Sequence, residues 1–186
     1  MIYLTVGTYP KGFDRLVEAV DLLCAEYKVE CIAQISGGSY KPHHMTYQSF
    51  YSSDVQANYI GESQFVIAHG GFGIIGDVMR HGKALLVFPR PPEEGPNDQR
   101  PVAEKLAEQY GFSLSTNLDE LRAMFSSMLK DTVSESDYRL ETNVPSLVSE
   151  FLKTCSKAKN FKISSGKISL FKNYPLIKFN FKKYHN

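Results

Sequence analysis

Two hydrophobic patterns alternate along this chain. Short, nearly continuous apolar runs predict buried strands, and between them apolar residues return every three or four positions, the period of a helix face. The first run, Ile2-Tyr-Leu-Thr-Val6, stops at the turn cluster Gly7-Thr8-Tyr9-Pro10. Phe13, Leu16, Val17, Val20, Leu23 and Cys24 then mark one face of a helix ending near Tyr27. Val29 to Ile35 predicts a second strand, closed by Ser36-Gly37-Gly38-Ser39. Residues 40–51 are aromatic, histidine-containing and irregular, which predicts mostly loop with room for a short strand, and Asp54 to Ile60 predicts a weak helix.

Phe65-Val-Ile-Ala68 is wholly apolar, as expected of a strand covered on both faces of a parallel sheet. It runs through His69-Gly70-Gly71-Phe72-Gly73 into a helix carrying Ile75, Val78 and Met79, which stops at His81-Gly82. Ala84 to Phe88 is another buried strand, broken by Pro89-Arg90-Pro91-Pro92. Val102 to Tyr110 reads as helix, Phe112 to Leu114 as strand and Leu118 to Leu129 as helix. Strands alternating with helices imply βαβ units, so the expected class is α/β, a Rossmann-like parallel sheet with helices on both faces.

Charge divides the chain. All 20 acidic residues lie at or before Glu150, with 12 of the 21 Lys and Arg, which leaves residues 1–150 at about minus 8. The other nine basic residues are lysines between Lys153 and Lys183, with no acid among them. A domain over residues 1–152 followed by a basic, aromatic extension over residues 153–186 is expected from this shift. Cys24, Cys31 and Cys155 are odd in number and form no CxxC pair, which fits reduced thiols and neither a disulfide frame nor a zinc site. No apolar run approaches the ~18 residues of a membrane span. Met1 leads directly into the first strand, so neither signal peptide nor anchor is expected.

The most informative stretch is Phe65 to Asp77, where three glycines lie between a buried strand and a helix. Ligands of open α/β sheets bind beyond the carboxyl ends of the strands. Glycines there let the backbone approach a ligand, and the first amides of the helix, aided by its dipole, suit a phosphate or diphosphate. A plain tight turn is the competing reading. The motif lacks the Gly-Lys-Ser/Thr of a Walker loop and the GxGxxG spacing of a dinucleotide site, which disfavours ATP and NAD.

The stretch from Ala68-His-Gly-Gly-Phe-Gly-Ile-Ile-Gly-Asp77 to Leu86-Val-Phe-Pro-Arg90 resembles the C-terminal donor-binding domain of family 28 glycosyltransferases, and so do Val6-Gly-Thr8, Phe13-Asp-Arg-Leu16 and Ile32-Ala-Gln-Ile-Ser-Gly37. The likeness runs in order over about residues 1–115. Within the family it is nearest to stand-alone donor domains, namely the soluble catalytic subunit of the dolichol-pathway N-acetylglucosaminyltransferase and its bacterial counterparts in capsule and exopolysaccharide synthesis. The resemblance implies one half of a GT-B fold. It further implies an inverting transferase that uses a UDP-sugar and no metal or other cofactor. Because the first strand begins at residue 2, the acceptor-binding half is expected on a separate, membrane-anchored partner that brings a polyprenyl-diphosphate-linked saccharide. The expected location is then the cytoplasmic face of the membrane, reached through that partner.

The resemblance also implies roles. Gly7 and Thr8 would face the phosphates or the sugar. Gly70, Gly71, Phe72, Gly73 and Ile74 would present amides to the diphosphate, whose growing charge as leaving group fixed dipoles stabilise. Asp77 stands where the family has a ribose-binding Glu, and is one methylene shorter; an ordinary helix acid is the alternative. Ile74 replaces a Ser or Thr and loses a hydroxyl donor. His69 is expected to bond a phosphate or to shape the turn, and Arg90 to pair with the diphosphate or to be solvated. Asn97-Asp98-Gln99 occupies the place of an Asn/Asp-His-Gln motif whose Gln contacts the donor sugar, with Asp98 the mismatch, and Pro91 to Pro96 reads as a loop over the site. No general base is evident; His43 and His44 are candidates, against simple solvation.

Three readings of the lysine-aromatic tail stand, namely a solvated extension, a contact with anionic membrane, and docking on the partner. Nucleic acid is disfavoured by the acidic body and the lack of a recognition motif. Beside the transferase reading stand a non-catalytic nucleotide-sugar-binding or scaffold subunit, favoured by Ile74 and Asp98, and a sugar-nucleotide epimerase.

Overall fold

The computed structural model describes residues 1–131, which lie within one compact unit. Cys155, the boundary near residue 152 and the lysine-aromatic tail lie outside the described residues. Six strands form one parallel sheet: β1 (Ile2–Thr5), β2 (Cys31–Gln34), β3 (Thr46–Gln48), β4 (Phe65–Ala68), β5 (Ala84–Val87) and β6 (Ser113–Leu114). Their spatial order is β3-β2-β1-β4-β5-β6. The chain builds outward from β1 to β3, then returns to the other side of β1 with β4. The β1/β4 junction is therefore the switch point of the sheet, where a ligand crevice opens. Register places Gln34, Thr5, Ala68 and Val87 side by side, so the loops after β1 and β4 leave the same edge as neighbours.

Alternate residues of the strands enter two cores. Ile2, Leu4, Phe65 and Ile67 pack with α1 (Asp14–Tyr27) and with Leu121 and Phe125 of α5 (Leu118–Lys130). Tyr3, Val66, Ala68 and Val87 pack on the opposite face with Ile60 of α2 (Ser53–Glu62), with Ile74, Ile75, Val78 and Met79 of α3 (Phe72–Arg80), and with Ala103 of α4 (Arg100–Tyr110). The expected α/β architecture with helices on both faces is the one observed. Every residue of β1 and β4 is buried, which is why those runs carry no polar alternation.

The β2–β3 connection, residues 35–45, contains no helix and has to be held some other way. Asp21 does this from the apolar face of α1. Its carboxylate is fully buried and accepts from the Tyr40 hydroxyl at 2.9 Å and from the amides of His43 and His44 at 2.9 and 2.8 Å. Burial pushes the Asp21 pKa up, but these three donors more than offset it and the carboxyl titrates below its usual range. Burial and the same carboxylate push the Tyr40 phenol up to about 12.

Candidate functional site

At the switch point the ring of His69 wedges between two backbone turns. A Cβ at Gly7 or at Gly71 would collide with that ring, so a side chain at either position requires the ring to move. Gly7 also holds φ at +76°, a left-handed conformation that side chains resist. Its amide donates to Thr5 Oγ1 at 3.2 Å and its carbonyl accepts from Gln34 Nε2 at 3.1 Å, while Gln34 Oε1 accepts from the Tyr51 amide at 2.9 Å. The β1 turn is thus fixed from β2 and from the segment after β3. Thr8 next to it is exposed at this edge.

Burial, then the nearby Arg90 charge, lower the His69 pKa to about 4, with the Thr5 carbonyl pulling weakly the other way. The imidazole is therefore neutral near pH 7. Its Nδ1 is buried and has no hydrogen-bond partner among the described residues. Of the two expected roles, shaping the turn is what the geometry shows.

The glycines after β4 serve different purposes. A Cβ at Gly70 would lie 2.9 Å from Pro89 Cβ and 3.0 Å from Gln99 Cβ, so Gly70 allows the 89–99 segment to close against the turn. Gly71 makes room for His69. A Cβ at Gly73 would meet nothing within 4 Å, so that position is open on the outside. The amide supply also differs from expectation. The Gly71 N–H is spent within the turn, on the His69 carbonyl at 2.9 Å, and leaves the expected set. The amides of Phe72, Gly73 and Ile74, in the first turn of α3, have no partner among the described residues, as geometry requires at a helix start. Phe72 stands beside them, 72% exposed. Ile74 turns its side chain into the core and offers only its backbone to the edge.

Arg90 corrects the expectation most. It is neither solvated nor free to pair with a ligand as a surface guanidinium, being 2% exposed. Nη2 donates to the carbonyls of Val6 and Gly12, each at 3.0 Å, and the guanidinium lies 5.1 Å from the Tyr9 ring and 5.0 Å from the Phe13 ring. Burial lowers its pKa, with Tyr9 and Glu94 acting in the opposite sense. Arg90 is a brace for the β1–α1 turn.

The 89–99 segment is closed at its base. The Arg90 amide donates to Gln99 Oε1 at 3.2 Å, and the Gln99 amide donates to the Arg90 carbonyl at 3.1 Å. Between them a single 3-10 turn, Pro92–Glu94, is tied to α1 by Arg15 Nε, 2.8 Å from Glu94 Oε1. Gln99 thus stands against Gly70 with its carbonyl oxygen already used, which leaves the amide nitrogen to donate. Asp98 is held by Arg100, whose Nε and Nη2 donate at 2.8 and 2.7 Å, and those bonds draw its pKa down. Asn97 is exposed on the loop. Asp77, on the outer face of α3, pairs with Arg80.

His43 and His44 lie elsewhere. They lie just before β3, separated from it by Met45, and in a parallel sheet the start of a strand is at the edge opposite the glycine turn. Their backbone amides bond Asp21 while both residues stay exposed, which is the solvated alternative, at an edge away from the glycine turn. Sequence reasoning missed two residues, Gln34 and Asp21. Each carried a signal, as a polar residue ending a buried strand and an acid on the apolar face of a helix. Among the described residues no three His, Cys, Asp or Glu side chains gather as a metal site, and no helix is long and apolar enough to cross a membrane.

Several solved structures share this fold. The NMR structure of ALG13 superposes with a TM-score of 0.52 at 19% identity, covering 82% of this chain and 95% of that one. MurG of Acinetobacter baumannii gives 0.54 at 16% identity, over 82% and 49%. UDP-GlcNAc 2-epimerase from Neisseria meningitidis, solved bound to UDP-GlcNAc, gives 0.58 at 12% identity, over 82% and 44%. This chain spans between 35% and 49% of the length of five such proteins, MurG and the epimerase among them. No curated protein matches it by sequence. The family model for the glycosyltransferase family 28 C-terminal domain matches residues 1–145, well over half of the chain and all of the glycine turn, and the chain belongs to that family.

Proposed function

We propose that this chain is the donor-binding, catalytic subunit of an inverting glycosyltransferase that uses a UDP-sugar. The observation that carries the reading is the row of unpaired amides at Phe72, Gly73 and Ile74, set at the switch point of a family 28 domain. In the reaction an acceptor hydroxyl attacks the anomeric carbon from the side opposite UDP. The new glycosidic bond forms as the bond to the diphosphate breaks, UDP leaves with the electron pair, and the hydroxyl proton passes to a base. Dipoles already oriented toward the diphosphate stabilise its growing charge without reorganisation and without a metal. Gln99 Nε2, held as a donor, suits a sugar hydroxyl. None of the described residues is assigned as the base.

The acceptor half is proposed to come from a membrane-anchored partner that presents a polyprenyl-diphosphate-linked saccharide, with this chain held peripherally at the cytoplasmic face. Membership of a family defined by a C-terminal domain supports the donor-half reading. A second reading, a non-catalytic nucleotide-sugar-binding subunit, is favoured by the buried Ile74 and by Asp98 bound to Arg100.

The test is calorimetric titration of the full chain with UDP in the absence of Mg²⁺, with Gly73→Val alongside. Millimolar or tighter binding is expected. Because a side chain at Gly73 meets only open space, Gly73→Val keeps the melting temperature but costs at least tenfold in UDP affinity. Failure of the unaltered chain to bind UDP removes the proposal. Turnover with the partner then separates the two readings, since a binding subunit yields no donor-dependent product.

A further inference from the structure

We infer that Lys11 is the side-chain cation of this site and pairs with the diphosphate of the bound nucleotide from the wall opposite the amide row. The inference rests on the donor-site reading above. The adjacent strands β1 and β4 leave the switch point toward opposite faces. β1 runs through Gly7 and Gly12 into α1, on the face whose core holds Leu4 and Ile67, and β4 runs through the glycine turn into α3, on the face whose core holds Tyr3 and Val66. The slot between them has the amides of Phe72, Gly73 and Ile74 on one wall and the turn after β1 on the other. Lys11 lies at the tip of that turn, exposed. The turn itself is fixed. The Gly12 amide donates to the Tyr9 carbonyl at 2.9 Å, Ser36 Oγ donates to the same carbonyl at 2.6 Å, and Arg90 Nη2 donates to the Gly12 carbonyl at 3.0 Å.

The charges at this edge single Lys11 out. Helices that follow the strands start here, and Asp14, Asp54, Asp119 and Glu120 occupy first turns, so an approaching diphosphate meets acid. Most cations that could balance it are already engaged. Arg90 is buried on the carbonyls of Val6 and Gly12, Arg15 pairs with Glu94, and Arg100 pairs with Asp98. Lys41 Nζ donates to the Gly38 carbonyl at 3.0 Å. Among the described residues in the loops and first helical turns at this edge, Lys11 is the cation whose side chain has neither an ion pair nor a hydrogen bond. An ammonium on a rigid turn, facing unpaired amides across a slot, engages an anion without giving up a partner of its own.

The experiment is titration calorimetry of the full chain with UDP at about 20 mM and about 500 mM NaCl, where the screening length falls from roughly 20 Å to roughly 4 Å. The unaltered chain is compared with Lys11→Met, with Lys11→Arg, and with Lys130→Met, which removes the same charge at the far end of α5. Lys11→Met is expected to bind UDP about tenfold more weakly at low salt, the worth of one charge-assisted hydrogen bond, with an unchanged melting temperature. At high salt its deficit is expected to shrink below about threefold. Lys11→Arg, which keeps the charge, and Lys130→Met are expected to stay within about threefold of the unaltered chain at both salts. A loss under about twofold for Lys11→Met at low salt overturns the inference, as does a loss that salt leaves unchanged or that Lys130→Met reproduces. Absence of UDP binding by the unaltered chain is a different result, and it overturns the donor-site reading together with this one.

Discussion

Replacing Arg90 with methionine removes a buried guanidinium while keeping a flexible side chain of comparable length in its place. Two bonds from a charged donor are lost, those to the carbonyls of Val6 and Gly12. Such bonds are worth about 1.5–3 kcal/mol each, and stacking on Tyr9 and Phe13 adds about 1 kcal/mol. Against this stands the relief of no longer burying a cation whose hydrogen bonds reach no carboxylate, an effect of several kcal/mol. The net expected loss is about 2–3 kcal/mol. For a unit of this size each kcal/mol lowers the melting temperature by roughly 3–5 °C, so a drop of about 10 °C is expected. Thermal melts monitored by circular dichroism measure it, and UDP titration at 10 °C, well below the transition, measures the site separately. Affinity is expected to fall by less than tenfold, because the loosened β1 turn is only one wall of the cradle. An unchanged melting temperature together with abolished UDP binding refutes the brace and returns Arg90 to the role of ligand contact.

Two further expectations concern buried titratable groups. The His69 pKa, lowered to about 4 in the fold against about 6.5 unfolded, means that the unfolded chain binds the extra proton first as pH falls. Stability contributed by the neutral ring is present above pH ~6.5 and lost toward pH ~4 at up to about 1.4 kcal/mol per pH unit. Urea midpoints across that range should flatten in His69→Asn relative to the unaltered chain, and an unaltered slope counts against the neutral wedge. Asp21→Ala strands the amides of His43 and His44 and the Tyr40 hydroxyl, for an expected cost of about 3 kcal/mol in urea unfolding. The same variant should leave UDP affinity within twofold, because this clamp lies at the other edge; a large loss of affinity contradicts that placement.

The parts legible in sequence were those where burial is uniform. Phe65 to Ala68 could be read because a strand covered on both faces must be apolar throughout, and Phe72 to Arg80 because Ile74, Ile75, Val78 and Met79 repeat with helical spacing. β3 resisted because all three of its residues are exposed on the sheet edge and carry no alternation. At the site, glycine spacing located the turn but left open which amide is consumed, since the Gly71 bond to His69 is a matter of turn geometry. Arg90 was misread because a charged residue after a strand ordinarily reaches water, and two carbonyls facing inward reversed that. His43 and His44 stayed open between base and solvated loop because a helix-free crossover gives no measure of which edge its histidines reach.

The imidazole lodged between Gly7 and Gly71 makes the loops after β1 and β4 a single mechanical part, since neither can shift without displacing the ring that fills the other. Recombining this domain with relatives therefore demands that both loops come from one parent. A chimera joined anywhere between Gly7 and His69 inherits a histidine facing a backbone it was not shaped against, unless the partner loop carries glycine at the matching place.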